Sequence, residues 1–363
     1  MSDPKQPPRY CTLKHSPERP VGTGLTRGRL RLIRANEQKW LNGTVLHYYF
    51  FDKDTDGQWI TDANGKRTWA SWTAAKAQHD MVRQGFAAWR ELGIGIRFEE
   101  VKSRSEAELR IGFMQGDGSW SYVGREVLLQ GADERTMNFG WDLVGELDTA
   151  IHEIGHSLGF PHEHQNPYAG IEWDEQAVYD ALAGPPNYWS RDDTYHNIIR
   201  KITPDSVQGS SWDPNSVMHY PFEPGLIKAP TQFRTGLTPK GGLSPRDTEW
   251  VKCFYPAQDT AAARTLRPFH SERLELKPGE QADFTIVPEA TRTYTIQTFG
   301  ATDTVLALFE DDNGKCRYMC GDDDSGFDRN AMLRPKLFAG RKYIARVRLY
   351  YADQAGASAL FMW

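Results

Sequence analysis

The chain has few cysteines, only Cys11, Cys253, Cys316 and Cys320 among its 363 residues. Four are too few for the disulfide framework that stabilises small secreted domains. The sequence also has no apolar run approaching the ~18 residues that a membrane-spanning helix needs. Its first thirty residues lack the apolar core of a signal peptide, so we expect no secretory leader there. Small disulfide-rich proteins and membrane-spanning proteins are therefore excluded.

An excess of positive charge is absent as well. The 43 Lys and Arg residues are outnumbered by 48 Asp and Glu, which leaves a formal net charge of -5. We therefore expect no nucleic-acid partner, because proteins that bind the negatively charged nucleic acids usually have a basic surface. With 39% hydrophobic and 25% charged residues, the composition is that of a globular protein. At roughly 150 residues per domain, the length predicts two domains, or three if they are smaller.

The sequence pattern changes twice along the chain. Residues 1–39 are rich in Pro, Arg and Gly without any period, which predicts an extended N-terminal arm. Residues 40–257 mix β-prone runs with two segments of helical spacing, 73–92 and 147–158, which predicts an α+β domain. Residues 258–363 contain short alternating runs separated by Gly-containing turns, which predicts an all-β sandwich.

The most informative segment has the pattern HExxHxxGxxH. On a helix, His152 and His156 lie one turn apart, so both imidazoles face the same side. Gly159 allows a left-handed turn after the helix, and this turn brings His162 back as a third nitrogen ligand. Three neutral histidines leave one position of a tetrahedral zinc ion open for water. Glu153 is then placed to act as the general base on that water.

A second motif, Ser216-Val217-Met218-His219-Tyr220, follows further downstream. The two motifs together resemble the metzincin zinc proteases, in which a methionine turn lies beneath the metal site. The resemblance implies an α+β metzincin catalytic domain, with a twisted sheet and an active-site helix, followed here by the all-β sandwich.

Within the metzincins, the sequence resembles the astacin family most. Its hallmark is a Glu directly after the third histidine, here Glu163, together with a methionine turn of the form Ser-x-Met-His-Tyr. The resemblance implies that Tyr220 approaches the zinc as an extra ligand and stabilises the oxyanion. It also implies structural roles for Met218 beneath the ligands and for Glu163, which in mature astacins meets the new N-terminus. The disulfides of animal astacins cannot form here, which indicates a microbial branch.

The resemblance implies a zinc endopeptidase that cleaves extended protein or peptide substrates, as a secreted monomer, even though no signal peptide is visible. Two other functions stay open from the residues alone. One is a zinc amidase with a narrow substrate such as a cell-wall peptide. The other is a binding protein whose sandwich recognises a partner while its metal site is latent. The presence of every catalytic residue type argues against the binding protein, whereas only a substrate panel separates the peptidase from the amidase.

Three roles are open for Cys11, which lies in the arm. A thiolate is a good zinc ligand, so an arm across the cleft could bring Cys11 to the open position and keep the enzyme latent as a zymogen. The resemblance to the astacin family makes this role conceivable, because some bacterial relatives are kept latent by such a cysteine. The alternatives are a free thiol and a disulfide with Cys253. Cys316 and Cys320 could likewise form a small-loop disulfide.

The C-terminal region resembles the bacterial pre-peptidase C-terminal domain, a β-sandwich that accompanies secreted proteases. Carboxylates in the loops of some relatives bind calcium, which takes six to eight oxygen ligands. The corresponding candidates here are Asp303, Asp322, Asp323 and Asp324. A charged, solvated loop is the equal alternative.

Overall fold

A computed structural model describes residues 8–14, 39–40, 43–62, 64–202, 211–255, 257, 264–312, 314–326 and 329–363. The chain divides into two compact units. The first draws on residues 1–40, 46–90 and 98–247, and the second on 41–45, 91–97 and 248–363. This division cuts the chain ten residues before the predicted limit at 257, so the domain bounds 40–257 and 258–363 stay a prediction.

The first unit is built on a mixed sheet. The strands up to residue 229 are β1 (Val45–Phe50), β2 (Gly57–Thr61), β3 (Arg67–Ser71), β4 (Arg97–Glu100), β5 (Leu109–Gly112), β6 (Trp120–Ser121), β7 (Met137–Asn138), β8 (Glu172–Trp173) and β9 (Ile227–Ala229). Five of them form a sheet in the order β4-β1-β5-β7-β6, with β1, β5 and β7 parallel and β6 antiparallel at one edge. The pairs β2-β3 and β8-β9 form separate antiparallel ribbons.

Two long helices correspond to the two segments of predicted helical spacing. They are α1 (Lys76–Glu91) and α2 (Leu147–Ser157), and α2 is buried from Ala150 onward. The helices approach closely at Gly85, where an added Cβ would lie 2.9 Å from the Ile154 side chain. Trp89 donates a 3.0 Å hydrogen bond from its indole to the Ile151 carbonyl. These contacts fix α2, which carries the metal-binding motif, against its neighbour.

Three shorter helices complete the α-helices described. They are α3 (Glu175–Ala183), α4 (Arg191–Thr194) and α5 (Pro245–Phe254). A π-helical turn, Tyr195–Ile199, follows α4 directly. Within the described residues, no helix combines the length and apolar character needed to cross a membrane.

The second unit is dominated by strands, as predicted. They are β10 (Arg264–Thr265), β11 (Ser271–Leu276), β12 (Gln281–Ile286), β13 (Arg292–Thr293), β14 (Ile296–Phe299), β15 (Thr304–Asp312), β16 (Lys315–Asp322), β17 (Met332–Leu333), β18 (Lys336–Leu337), β19 (Tyr343–Leu349) and β20 (Gly356–Met362). A five-stranded sheet has the order β10-β12-β19-β15-β16, and a four-stranded sheet has the order β11-β20-β14-β17. Buried side chains from both sheets form one apolar cluster that includes Phe284, Leu308 and Leu360, which is the arrangement of a β-sandwich.

Candidate metal centre

Four side chains converge in the first unit at the C-terminal half of α2. They are Cys11, His152, His156 and His162, all buried, and their ligand atoms lie within 4.8 Å of one another. The Cys11 Sγ is 3.2, 3.5 and 3.0 Å from the Nε2 atoms of the three histidines in that order. Nitrogen ligands at the usual zinc distance of ~2.0–2.1 Å stand about 3.3 Å apart in a tetrahedron. The four side chains therefore fit a tetrahedral zinc ion in both chemistry and spacing.

The imidazoles of two histidines are oriented by backbone carbonyls. His152 donates from Nδ1 to the Val217 carbonyl, and His156 donates from Nδ1 to the Phe160 carbonyl, each at 2.7 Å. Donation from Nδ1 leaves the Nε2 lone pair free to bind a metal ion. Val217 belongs to the methionine turn, so this turn directly orients one metal ligand.

Burial sets the protonation state of the three histidines. It lowers the pKa of His152 to about 4, and with the neighbouring imidazoles it lowers the pKa of His156 and of His162 well below the usual value. The neutral imidazole is the form that binds a metal ion. The pocket therefore favours the ligand form of all three side chains at neutral pH.

Glu153 lies next to the first histidine and is fully buried. Neither of its carboxylate oxygens accepts a hydrogen bond of normal geometry from the described residues. Burial raises the pKa of Glu153 well above its ordinary value, and the nearby Cys11 thiol offsets part of this rise. Buried carboxylates without a well-placed donor are costly, so native proteins keep few of them outside functional sites. Such a carboxylate beside the histidines is what a metal site with a general base requires.

Tyr220 lies at the same cluster. Its hydroxyl is 2.5 Å from His162 Nε2 and 3.0 Å from the Cys11 Sγ, and it donates a 2.7 Å hydrogen bond to the Cys11 carbonyl. The structure thus brings together Tyr220, Glu153, Cys11 and the histidines that the sequence indicated.

The methionine turn is held in place by a network of hydrogen bonds. The Asp247 carboxylate accepts from the Ser216 hydroxyl at 2.6 Å and from the Val217 amide at 2.8 Å. Met218 lies against Gly155 of α2 so closely that an added Cβ there would overlap its sulfur. The sequence indicated the packing role of Met218, but it gave no signal for the role of Asp247, which is 31 residues away from Ser216.

Gly159 and Glu163 shape the segment between the second and third histidines and the loop beyond. Gly159 has a φ of +95°, in the left-handed region that the predicted turn requires. Glu163 Oε1 accepts from the Asp213 amide at 2.9 Å and from the Asn166 side chain at 3.2 Å. Burial raises the pKa of Glu163 to about 7. Its carboxylate thus connects two loops of the first unit.

The N-terminal arm runs across this cluster. The Thr12 amide donates at 3.0 Å to the carbonyl of Ser119, which directly precedes the edge strand β6. The Leu13 amide donates to the Asn197 side chain at 2.8 Å. The described arm, residues 8–14, is therefore held on both sides of the cleft, and Cys11 lies between the histidines. The sequence gave no signal for the role of Asn197.

None of the four cysteines takes part in a disulfide, so the bonds considered between Cys11 and Cys253 and between Cys316 and Cys320 are not formed. In the part of the chain that the structure describes, the Cys11 cluster is the single group of three or more His, Cys, Asp or Glu ligands close enough to share an ion. That group does not include Asp303, Asp322, Asp323 or Asp324. Calcium binding there stays a prediction.

The mixed sheet, the three converging histidines, the buried glutamate and the methionine turn are together the features of the metzincin class of zinc metallopeptidases. Comparison with known proteins identifies the family. A family model described as Astacin, a peptidase family, matches residues 52–177. The solved structure of myroilysin is 30% identical, with 62% of this chain and 98% of that chain covered and a TM-score of 0.52.

Curated relatives agree with this result. Protein SpAN of Strongylocentrotus purpuratus is 26% identical over 204 residues, which are 52% of this chain and 30% of that protein. Zinc metalloproteinase nas-8 of Steinernema carpocapsae is 34% identical over 128 residues, 34% of this chain and 26% of that protein. The match thus spans less than a third of the length of these relatives. The chain belongs to the astacin family of metallopeptidases.

Proposed function

We propose that the chain is a zinc-dependent endopeptidase that cleaves extended polypeptides and is kept latent by its own arm. The observation that carries this proposal is the cluster of three histidine Nε2 atoms and the Cys11 Sγ within 4.8 Å of one another. Protein and peptide substrates, extracellular action and a monomeric state are proposed on the strength of the family alone.

His152, His156 and His162 would hold the zinc ion. When bound, zinc would supply Lewis acidity, which would polarise the scissile carbonyl and lower the pKa of water, so that water loses a proton readily and becomes a better nucleophile. Glu153 takes the proton of the attacking water on a carboxylate oxygen and passes it to the leaving amine nitrogen. Tyr220 donates from its hydroxyl to the oxygen of the scissile carbonyl as negative charge develops there. The Ser119 carbonyl, which holds the arm, would hold the backbone of a substrate in the same way.

The arm would block two steps of catalysis at once, the binding of the attacking water and the donation of a hydrogen bond by Tyr220. The Cys11 Sγ is 3.0 to 3.5 Å from the three histidine nitrogens, so it lies where the attacking water has to bind. Tyr220 donates its hydrogen bond to the Cys11 carbonyl and is therefore unable to donate to a substrate. Removal of the thiol would open the position for water and weaken the hold of the arm, so that a substrate could displace the arm and free Tyr220.

The second unit would have a structural role and would take no part in catalysis. Its candidate calcium ligand Asp322 already accepts hydrogen bonds from the Ser325 amide and hydroxyl and from the Met332 amide. These contacts support a structural loop at Asp322. Calcium binding by Asp303, Asp323 and Asp324 is a separate proposal, which a calcium titration of the full chain tests.

The latency proposal is tested with the full chain and its Cys11→Ala variant. We expect both to contain one zinc ion, and we expect the variant to hydrolyse casein and quenched peptides at least about tenfold faster, because water gains access to the metal. Cys253→Ala is the matched control and should behave like the parent chain. Equal rates in all three proteins would contradict the role of Cys11.

The same assays, extended to cell-wall peptides as substrates, separate the alternative functions. Cleavage of cell-wall peptides without cleavage of casein or quenched peptides would identify the narrow amidase. Zinc binding by Cys11→Ala without hydrolysis of any substrate would identify the binding protein with a latent site.

A further inference from the structure

The arm inserts one aromatic side chain beside the metal cluster. Among residues 8–14, only Tyr10 and Cys11 are buried. The Tyr10 ring lies 5.0 Å from the ring of Tyr220, 5.8 Å from that of Phe222 and 6.1 Å from that of Trp189, measured between centroids. Its exposed fraction is 4%. Tyr10 therefore occupies a pocket with aromatic walls, directly next to Tyr220, whose hydroxyl contacts His162.

The backbone of the arm is bound in a different manner. Asn187 accepts a hydrogen bond from the Tyr10 amide and donates one to the Pro8 carbonyl, both at 3.1 Å. This pair of bonds has the form of a β-ladder, with a side-chain amide in place of a neighbouring strand. Asn197 accepts from the Leu13 amide on the other side of Cys11. Contacts of this kind hold any extended peptide, because they involve main-chain atoms that nearly every residue has.

The two kinds of contact have different consequences for recognition. Backbone hydrogen bonds give affinity without discrimination, whereas a pocket that buries a side chain selects for its shape and chemistry. Aromatic rings with centroids 4.5–7 Å apart pack favourably in tilted or offset arrangements. A flat ring can contact the ring walls in this way, but a small or acidic side chain cannot.

We propose that the pocket lined by Trp189, Tyr220 and Phe222 selects an aromatic residue of the substrate near the scissile bond, and that Asn187 holds the backbone at that residue. The inference rests on the proposed peptidase function and extends it to a substrate class, peptides with Tyr or Phe at one defined position. Tyr10 is then an internal ligand of the site that a substrate has to replace.

The proposal can be tested by measuring the affinity of peptides for a variant that cannot cleave them. The full chain carrying Tyr10→Ala, Cys11→Ala and Glu153→Gln leaves the pocket vacant and prevents cleavage, and its arm has lost both buried side chains, so an added peptide can displace it. Two synthetic heptapeptides are compared by calorimetry: one has the sequence of residues 8–14 with alanine at the cysteine position, and the other also has alanine at the tyrosine position. We expect the tyrosine peptide to bind at least about tenfold more tightly, because burial of one aromatic ring supplies that difference. Equal binding would overturn the proposal.

Two further variants in the same background separate the pocket from the backbone contacts. Trp189→Ala should remove the difference between the two peptides, and Asn187→Ala should weaken both by the same factor. Tyr195→Ala is the matched control, because this aromatic side chain is 50% exposed and lies outside the pocket. A preference that persists in Trp189→Ala would overturn the proposed wall. If this variant unfolds, the comparison of the two peptides without it still decides on the pocket, and an unequal loss in Asn187→Ala would contradict a purely backbone role for Asn187.

A hydrolysis panel separates this inference from the proposed function. Quenched peptides with a single Tyr moved through successive positions are given to the chain carrying only Tyr10→Ala and Cys11→Ala. Cleavage that depends on Tyr at one position supports both statements. Cleavage that is indifferent to Tyr supports the peptidase and contradicts the aromatic pocket. Failure to cleave any peptide contradicts the peptidase function. The aromatic pocket is then judged only by the ratio of the affinities of the two heptapeptides.

Discussion

The two units place polar groups in their interiors very differently. The first unit buries His152, His156 and His162 together with a Glu153 carboxylate that accepts no hydrogen bond of normal geometry in the described part of the chain. The apolar cluster of the sandwich contains only hydrophobic residues, and the buried charged residues of this unit, among them Asp303, Arg346 and Arg348, lie outside that cluster. Burial of unpaired polar groups lowers stability. The first unit thus concentrates buried ionisable groups at one site, at a cost in stability, whereas the second unit keeps its buried charges apart from its apolar cluster.

The largest effect is expected from Glu153→Gln in the Cys11→Ala background. Loss of the general base should lower kcat/KM by about 10³-fold or more, while zinc content stays at the parent level, because Glu153 is not a ligand. The melting temperature should not fall, since the substitution removes a buried carboxylate that lacks a well-placed donor. Steady-state kinetics, metal analysis and calorimetry check the three parts. A variant that retains near-parental turnover would refute the catalytic role.

Phe284→Ala should have the largest effect on the sandwich. Phe284 is fully buried in the apolar cluster, so its truncation leaves a cavity and should lower the free energy of unfolding by about 3–5 kcal/mol. Val287→Ala is the control, because Val287 is 52% exposed and its truncation should change stability by less than about 0.5 kcal/mol. Denaturant unfolding measures both. Similar losses in the two variants would contradict the packing of the second unit.

Asp247→Ala tests the support of the methionine turn. The substitution leaves the Ser216 hydroxyl and the Val217 amide without their acceptor, and the Val217 carbonyl orients His152. Removal of such a supporting contact typically lowers metal affinity about 10- to 100-fold. Competition with a zinc chelator gives this affinity, and Glu249→Ala, an exposed position on the same helix, is the control. Parental zinc affinity in Asp247→Ala would show that the turn holds His152 without this carboxylate.

The sequence predicted those parts of the molecule that follow from local patterns. Residues that are neighbours along the chain determine two of these parts. One is the helix that carries His152 and His156, and the other is the left-handed turn at Gly159. The β-sandwich was predicted because strand alternation and turns are also local signals. The roles of Asn187 and Asp247 were not predicted, because each acts on a segment distant in sequence. Their partners become apparent only when tertiary packing brings those segments together.

The smallest change in stability is expected from Asp311→Asn, in strand β15 of the sandwich. Asp311 contacts Lys342 Nζ at 2.7 Å and accepts from the Gly314 amide, and the hydrogen bond from Lys342 holds its pKa below the usual range. A lowered folded-state pKa means that the pair stabilises the fold above the unfolded-state pKa of about 3.9, and that this contribution is lost as the pH falls through the folded-state value. Asp311→Asn should therefore lower stability by less than about 1 kcal/mol at pH 7, and this difference should shrink toward about pH 2. Urea unfolding at the two pH values measures it, and a difference that grows on acidification would contradict the pairing.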